Sequence, residues 1–244
     1  MKLNFFTVSF VILLGLISCN NDDDTNPEPI TKANIIGSVN LYNEGVTQIE
    51  NSNMIVKVEG TEISAKTDDD GDFTLSEVPF GTYTLTYEKS GFGTFKKYNI
   101  EHTNTGSSTI ITASPSLGEI STTQITALES TVNGDNIQLA ITTIPAGNNS
   151  NTRYVRYFLS TNSNVSNENY TYYSPGLVSQ ITPLVITLSQ DDLISAGFSS
   201  GQTVYAKVYG DSFWSNEYDD SDLGRKVFPN LNMNSANAVS LIVP

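Results

Sequence analysis

The sequence predicts an all-β protein built of two antiparallel β-sandwiches that follow a short leader. Its 244 residues are enough for two domains of about 100 residues each. From residue 35 onward, short runs rich in Val, Ile, Thr, Tyr and Phe recur about every ten residues, separated by Gly, Asn, Asp and Pro. This spacing, with little helical periodicity, is typical of antiparallel sandwiches.

The first sandwich is expected between residues 34 and 118. Along residues 82–87 the side chains alternate strictly, which places Tyr83, Leu85 and Tyr87 on one face of a strand and three threonines on the other. The run 68–71 is predicted to turn the chain just before Phe73, which should be buried. Strands are predicted near residues 35–42, 54–59, 62–67, 72–76, 82–88, 94–101 and 108–113.

The second sandwich is expected between residues 119 and 244. It should contain one short helix at residues 190–196, opened by Ser189 as N-cap with Asp191 and Asp192 in the first turn. Strands are predicted near residues 121–127, 136–143, 153–160, 170–174, 184–188, 202–209 and 238–243.

Residues 1–18 are predicted to be a signal peptide. Lys2 supplies the positive start, and an apolar run over residues 5–16 is too short to span a bilayer after its flanks. The run ends in Leu-Ile-Ser-Cys, which resembles the lipobox of bacterial lipoproteins. That resemblance implies cleavage before Cys19 and a lipid anchor on its thiol. The alternatives are an ordinary signal peptide or an N-terminal membrane helix, with a cysteine there by chance.

Three aspartates, Asp22, Asp23 and Asp24, follow the cysteine. They resemble the acidic export signal of surface lipoproteins in the Bacteroidetes group, which implies an outer-membrane location facing the cell exterior. The alternative is a solvated acidic spacer on an anchor that faces the periplasm. Residues 19–33, with two prolines among polar residues, are predicted to form a flexible tether.

Four motifs in the first sandwich share one order with a known family. These are Met54–Thr61, Thr67–Phe73, Val78–Leu85 and Lys89–Phe92. Together they resemble the carboxypeptidase regulatory-like domain. The resemblance implies a transthyretin-like Greek-key sandwich, grouped with carbohydrate-binding-like folds, that serves as an accessory module without chemistry of its own. The second sandwich is similar to fibronectin type III and immunoglobulin-like domains.

Two strands of the second sandwich predict a binding face. If Val155, Tyr157 and Leu159 point inward, the residues between them point outward, and strand 202–209 behaves in the same way. Exposed rings interleaved with cations suit a sugar or a protein partner. The alternative is that this face packs on the other domain or on residues 211–236. The residues predicted to bind a ligand are Tyr154, Arg156, Phe158, Tyr205, Lys207, Tyr209 and Trp214.

Charge and cysteine content exclude several classes of function. Lys and Arg number 12 against 26 Asp and Glu, and a net charge of −14 disfavours nucleic acid as a partner. One cysteine and one histidine exclude a disulfide framework and a Cys/His zinc cluster. We therefore expect no cofactor and no catalytic residues. A carboxylate pair could in principle act on glycosides, but small sandwiches with short loops offer little cleft for one.

Two acidic clusters are candidates for a calcium site. The run 68–72 has its glycine at the wrong offset for an EF-hand and is better explained as a hairpin turn. The second cluster consists of Glu217, Asp219, Asp220 and Asp222, in a long loop, and a plain surface is the more economical explanation.

The expected function is that of a non-catalytic binding or accessory module on a surface lipoprotein. Its partners would be the membrane, through the lipid anchor, and a glycan or an outer-membrane protein. Two alternatives stay open: a carbohydrate-binding component of a glycan-uptake system, and a purely structural spacer or adhesion module.

Overall fold

The computed structural model describes residues 30–244. The predicted signal peptide, Cys19, the aspartates Asp22, Asp23 and Asp24, and most of the tether lie outside the described residues. Within them, Thr31–Pro244 is one compact unit, so the predicted boundary between residues 118 and 119 stays a prediction. No helix in this part of the chain is long and apolar enough to cross a membrane.

The first sandwich contains strands close to those predicted. Two sheets face each other, one in the order β5-β1-β8 and one in the order β4-β3-β6-β7, while β2 pairs in parallel with β9. The strands are β1 (Lys32–Ser38), β2 (Asn40–Tyr42), β3 (Ile55–Val58), β4 (Ser64–Lys66), β5 (Asp72–Pro79), β6 (Gly81–Glu88), β7 (Phe95–His102), β8 (Thr109–Ile110) and β9 (Ser116–Gly118).

The predicted alternation and turn in the first sandwich are confirmed. Leu85 and Tyr87 are buried in its core, and Tyr83 packs against it. The Asp68 carboxylate accepts hydrogen bonds from the backbone N–H groups of residues 70 and 72, which closes the turn. Gly71 has φ +91°, and a Cβ there would lie 2.3 Å from a backbone oxygen, so the turn needs glycine. Phe73 then enters the core, as expected.

The second sandwich has the order β10-β11-β15 in one sheet and β13-β12-β16-β19 in the other, with β14 also pairing with β12. Short β14 and the hairpin β17–β18 were not predicted. The elements are β10 (Gln124–Asn133), β11 (Asn136–Ile144), β12 (Arg153–Ser160), β13 (Tyr172–Tyr173), β14 (Leu177–Ser179), β15 (Leu184–Ser189), α1 (Gln190–Ser195), β16 (Thr203–Asp211), β17 (Tyr218–Asp220), β18 (Arg225–Val227) and β19 (Val239–Ile242).

Residues 212–238, between β16 and β19, form what we call the insert. It carries the β17–β18 hairpin and packs Phe228 and Leu231 into a third hydrophobic cluster on the outer face of β12 and β16. The same segment contacts the first sandwich, since the Tyr218 ring lies 5.8 Å from that of Phe95. The insert therefore covers one sandwich and reaches the other.

We call the contact between the two sandwiches the seam. At its centre Asn230 is fully buried, and its amide donates to the carbonyls of Gly118, at 2.9 Å, and Trp214, at 2.8 Å. Asn216 exchanges two hydrogen bonds with the backbone of Gly118. A buried polar network whose hydrogen bonds are all satisfied fixes the geometry of the elements it joins. The seam therefore holds the two sandwiches in one defined arrangement.

Candidate functional site

The predicted phase of the two central strands is confirmed. β12 and β16 are antiparallel neighbours, and Val155, Tyr157 and Leu159 lie in the core between the sheets. The other β12 residues therefore point to the outer face of the sheet, where ligand-binding rings were predicted.

The prediction that these rings are exposed is wrong. Phe158 is fully buried and Tyr209 nearly so, and both pack with Phe228 of the insert. The Phe158 ring meets the Phe228 ring edge-on at 5.1 Å. The physical reason is that aromatic rings on an outer sheet face bury a large apolar area when a long loop folds over them, which is the alternative that the sequence left open.

Arg156 is also buried, and its prediction as a free cation is wrong. Its Nε lies 2.7 Å from Asp211 Oδ2, and its terminal nitrogens reach the Ser174 carbonyl at 2.8 Å and Glu217 Oε2 at 2.8 Å. The guanidinium stands 4.8 Å from the centre of the Phe228 ring. Burial raises the pKa of the Asp211 carboxyl, an effect that Arg156 opposes.

Tyr154 is also buried, so the prediction that its ring is exposed is wrong, and the other three predicted residues are half-buried. Tyr205 packs at the margin of the third cluster, and Lys207 Nζ donates to the Ala236 carbonyl at 2.5 Å. Burial lowers the pKa of Lys207. The Trp214 ring packs on Tyr42 of the first sandwich, with 4.8 Å between centroids. These contacts show that Tyr205, Lys207 and Trp214 contribute to packing within the protein.

An open cavity remains at the end of β12, beside the seam. Its volume is about 310 Å³. The Phe213 ring stands at its rim with 47% of its surface exposed, and the Tyr154 ring meets it edge-on at 5.6 Å. We call this space the seam cavity, and its lining is Tyr154, Arg156, Pro175, Gly176, Val178, Ser212, Phe213, Ser215 and Glu217.

Hydrogen bonds hold Phe213 and the residues on both sides of it in place. The Ser212 hydroxyl donates to the Glu119 carbonyl, and the Phe213 N–H donates to the Glu44 carbonyl at 3.0 Å. The carbonyl of Trp214 accepts from Asn230. An exposed ring on so tightly fixed a backbone is pre-organised, because little freedom is left to lose on binding.

The polar groups of the seam cavity centre on Glu217. Its Oε2 accepts from Arg156 at 2.8 Å and from the Ser215 hydroxyl at 3.3 Å, while its Oε1 stays 3.8 Å from Lys226 Nζ. The Glu217 side chain is one-third exposed. A fixed ring beside an acceptor suits a ligand that has an apolar face and hydroxyl groups at its edge.

Sequence reasoning named Tyr154, Arg156 and Trp214 in this region and missed Phe213 as a site residue. Phe213 lies in the loop that follows the predicted strand 202–209, and the sequence reasoning gave it no binding role. The available signal was the Phe-Trp pair at a strand end, where loop residues commonly carry function.

The comparison with protein families concerns mainly the first sandwich. Residues 46–139 match the model of the carboxypeptidase regulatory-like domain. The match begins later and ends later than the predicted range of 34–118, and it extends across the seam into β11. No curated protein matches the sequence.

Solved structures of low similarity cover most of the chain. A candidate carbohydrate-binding protein from Bacteroides uniformis is 14% identical, with 87% of this chain and 99% of that chain covered and a TM-score of 0.32. A DUF3823 family protein from Parabacteroides merdae is 14% identical, with 86% and 98% covered and a TM-score of 0.28. Likeness at this level carries no argument about ligand or activity.

The histidine at the end of β7 is a structural residue. His102 is fully buried at the end of β7, with Nε2 3.0 Å from the Val78 carbonyl and Nδ1 2.7 Å from the Thr109 hydroxyl. Both ring nitrogens are thus engaged in joining β7 to its neighbours, which leaves neither nitrogen for a ligand.

The acidic residues of the insert stabilise its hairpin. Asp220 Oδ1 accepts from the N–H groups of Asp222 and Leu223, both at 3.0 Å, and Asp219 pairs with Lys226 at 3.3 Å. Partial burial opposes ionisation of Asp220, yet these hydrogen bonds hold its pKa below the ordinary value. No group of three potential metal ligands occurs among residues 30–244.

Proposed function

We propose that the protein is a non-catalytic binding module of an outer-membrane lipoprotein and that it takes a saccharide at the seam cavity. The observation that carries the proposal is Phe213, a half-exposed residue on a fixed backbone that lines the same cavity as the one-third-exposed side chain of Glu217. The regulatory-like domain supports an accessory role, because in that family the domain accompanies a function and performs no chemistry.

The chemistry of the cavity favours a saccharide over a flat apolar ligand. One face of a pyranose presents C–H groups, which pack well on the π-face of a ring such as Phe213. Its hydroxyls donate hydrogen bonds, and Glu217 Oε1 can accept one. Pockets of about 300–1,000 Å³ with an apolar wall and few polar groups are the usual form of small-ligand sites.

A structural spacer is the second candidate function. The observation in its favour is that most predicted rings are buried and that the seam joins both sandwiches into one unit. A spacer would hold a partner away from the membrane and would require no ligand at the cavity. The two functions differ in whether the Phe213 ring contributes to binding.

The test is an oligosaccharide array probed with the full-length lipoprotein in detergent. We expect binding to some saccharide, and Phe213→Ala should weaken it about thirtyfold or more, the loss of about 2 kcal/mol typical of an anchor ring. Val132→Ala is the control, since Val132 is exposed and lies outside the cavity. If Phe213→Ala binds the saccharide as tightly as the parent does, the seam cavity is not the binding site. An array without any signal favours the structural spacer.

We also propose that the protein is anchored by a lipid on Cys19 and is displayed on the cell surface. Cys19→Ala should abolish incorporation of a fatty-acid analogue and release the protein from membranes, because the chain has a single cysteine. Replacing Asp22, Asp23 and Asp24 by alanine should protect the protein from protease added to intact cells. Persistent labelling of the first variant, or unchanged cleavage of the second, contradicts the corresponding assignment.

A further inference from the structure

We infer that the seam cavity selects uncharged saccharides and rejects those that carry carboxylate or sulfate groups. The inference rests on the proposed function and concerns the electrostatics of the same site. Its basis is that the cation that lines the cavity, Arg156, is paired with protein carboxylates, whereas the side chain of Glu217 stays partly exposed.

Arg156 offers no free positive charge to a ligand. Its side chain is 3% exposed, and all three nitrogens are engaged, by Asp211, Ser174 and Glu217. An anionic sugar would have to displace one of these charge-assisted contacts, which are among the strongest hydrogen bonds in proteins. Anion recognition by Arg156 is therefore disfavoured.

The charged groups around Glu217 carry a net negative charge. Two cations, Arg156 and Lys226, face three carboxylates. Asp211 pairs with Arg156 and Asp219 pairs with Lys226, while Glu217 pairs with both cations. Asp211 is fully buried against Arg156, so the negative charge that a ligand meets at the cavity is that of Glu217. Like charges a few ångströms apart in a half-buried site repel strongly, and salt screens such a pair less than an exposed one.

The geometry of Glu217 also explains acceptance of neutral sugars. Oε2 is occupied by Arg156 and Ser215, whereas Oε1 lies 3.8 Å from Lys226 Nζ, beyond hydrogen-bond distance. An ionised carboxylate only accepts, so the matching ligand group is a donor such as a hydroxyl. A uronate or sulfate oxygen has no proton to give.

The experiment uses the full-length lipoprotein and a panel of neutral hexasaccharides built of glucose, mannose, galactose or xylose. The tightest binder containing 6-hydroxymethyl groups is then compared with the same saccharide oxidised at C6 to the uronate, and with the methyl ester of that uronate. The ester keeps the size of the new group and removes its charge. We expect the uronate to bind at least tenfold more weakly than its ester, at both low and moderate salt.

Glu217→Gln should reduce the preference for the ester several-fold, because the amide keeps the shape and removes the charge. Glu129→Gln is the matched control, an exposed glutamate on β10 that does not line the cavity. Equal binding of uronate and ester by the parent, or equal effects of the two variants, overturns the inference. A panel without any binder, or binding insensitive to Phe213→Ala, instead overturns the proposed function.

Discussion

At the residue scale, burial separates aromatic side chains that the sequence pattern treats alike. Phe73 and Phe158 both lie in alternating strands, and both are buried. Phe73 faces the core of the first sandwich, as its strand phase predicts. Phe158 points away from the core of the second sandwich and is buried only because Phe228 of the insert covers it. The alternation along a strand thus predicts to which face of the sheet a side chain points, but it does not predict whether that side chain is exposed.

Arg156 shows the same principle for a charged residue. A cation between two inward-facing apolar residues predicts an outward direction, which the structure confirms. Its burial follows from Asp211 at the end of the neighbouring strand and Glu217 in the insert. Because an isolated buried charge is very costly, a fully paired arginine marks a site where several segments meet.

At the element scale, the short helix α1 is the part of the second sandwich that local sequence determines best. The Ser189 hydroxyl accepts from the Asp192 N–H at 3.1 Å, and the Asp192 carboxylate accepts from the Ser189 N–H at 2.9 Å. This capping box satisfies backbone groups that a helix start leaves without partners. Leu193 then enters the core between the sheets.

Removal of the cap should be measurable both in stability and in titration. Hydrogen bonds from the Ser189 hydroxyl and backbone hold the pKa of Asp192 below its ordinary value. Since the pKa is depressed in the folded state, the stabilisation is present above the ordinary pKa of Asp and is lost as pH falls through the folded value. Ser189→Ala should lower the free energy of unfolding by about 1 kcal/mol at neutral pH.

In that variant the Asp192 pKa should also rise towards its ordinary value, which carboxyl NMR titration measures. Ser195→Ala is the control, because Ser195 is an exposed serine in the last turn of the same helix. An unchanged Asp192 pKa in Ser189→Ala would show that the hydroxyl does not hold the carboxylate.

The hairpin β17–β18 is an element that the local sequence does not predict. Each of its strands has three residues, and its turn contains Gly224 at φ +63°. Its sequence contains three aspartates and lacks the alternation of apolar and polar residues on which strand prediction depends. Its stability comes from contacts with other parts of the chain, such as that of Tyr218 with Phe95.

At the scale of the whole molecule, the seam couples the two sandwiches through close backbone approach. A Cβ at Gly118 would lie 2.6 Å from the Trp214 carbonyl oxygen, and one at Gly93 would lie 2.3 Å from that of Pro229. Arg153 adds an ion pair with Glu44 at 2.9 Å, across the same joint. Contacts this close are incompatible with independent movement of the sandwiches.

We therefore expect the intact protein to unfold in a single calorimetric transition. Gly118→Ala should force the insert away from β9, lower the first transition temperature and split unfolding into two steps. Gly176→Ala is the control, since a Cβ there would be 3.9 Å from its nearest neighbour. If both variants unfold as the parent does, the seam is not a rigid joint.

The sequence by itself determined the all-β class, the phase of the central strands, the Asp-Gly turn, the helix cap and the resemblance to the regulatory-like domain. Each depends on a short-range pattern: alternation, a glycine at positive φ, a capping box, or motifs in a fixed order. The tertiary structure alone decided that the outer rings are buried, that Arg156 is neutralised and that Phe213 stands at a cavity. The physical reason is that exposure depends on where residues 212–238 lie, and contacts distant in sequence place that insert.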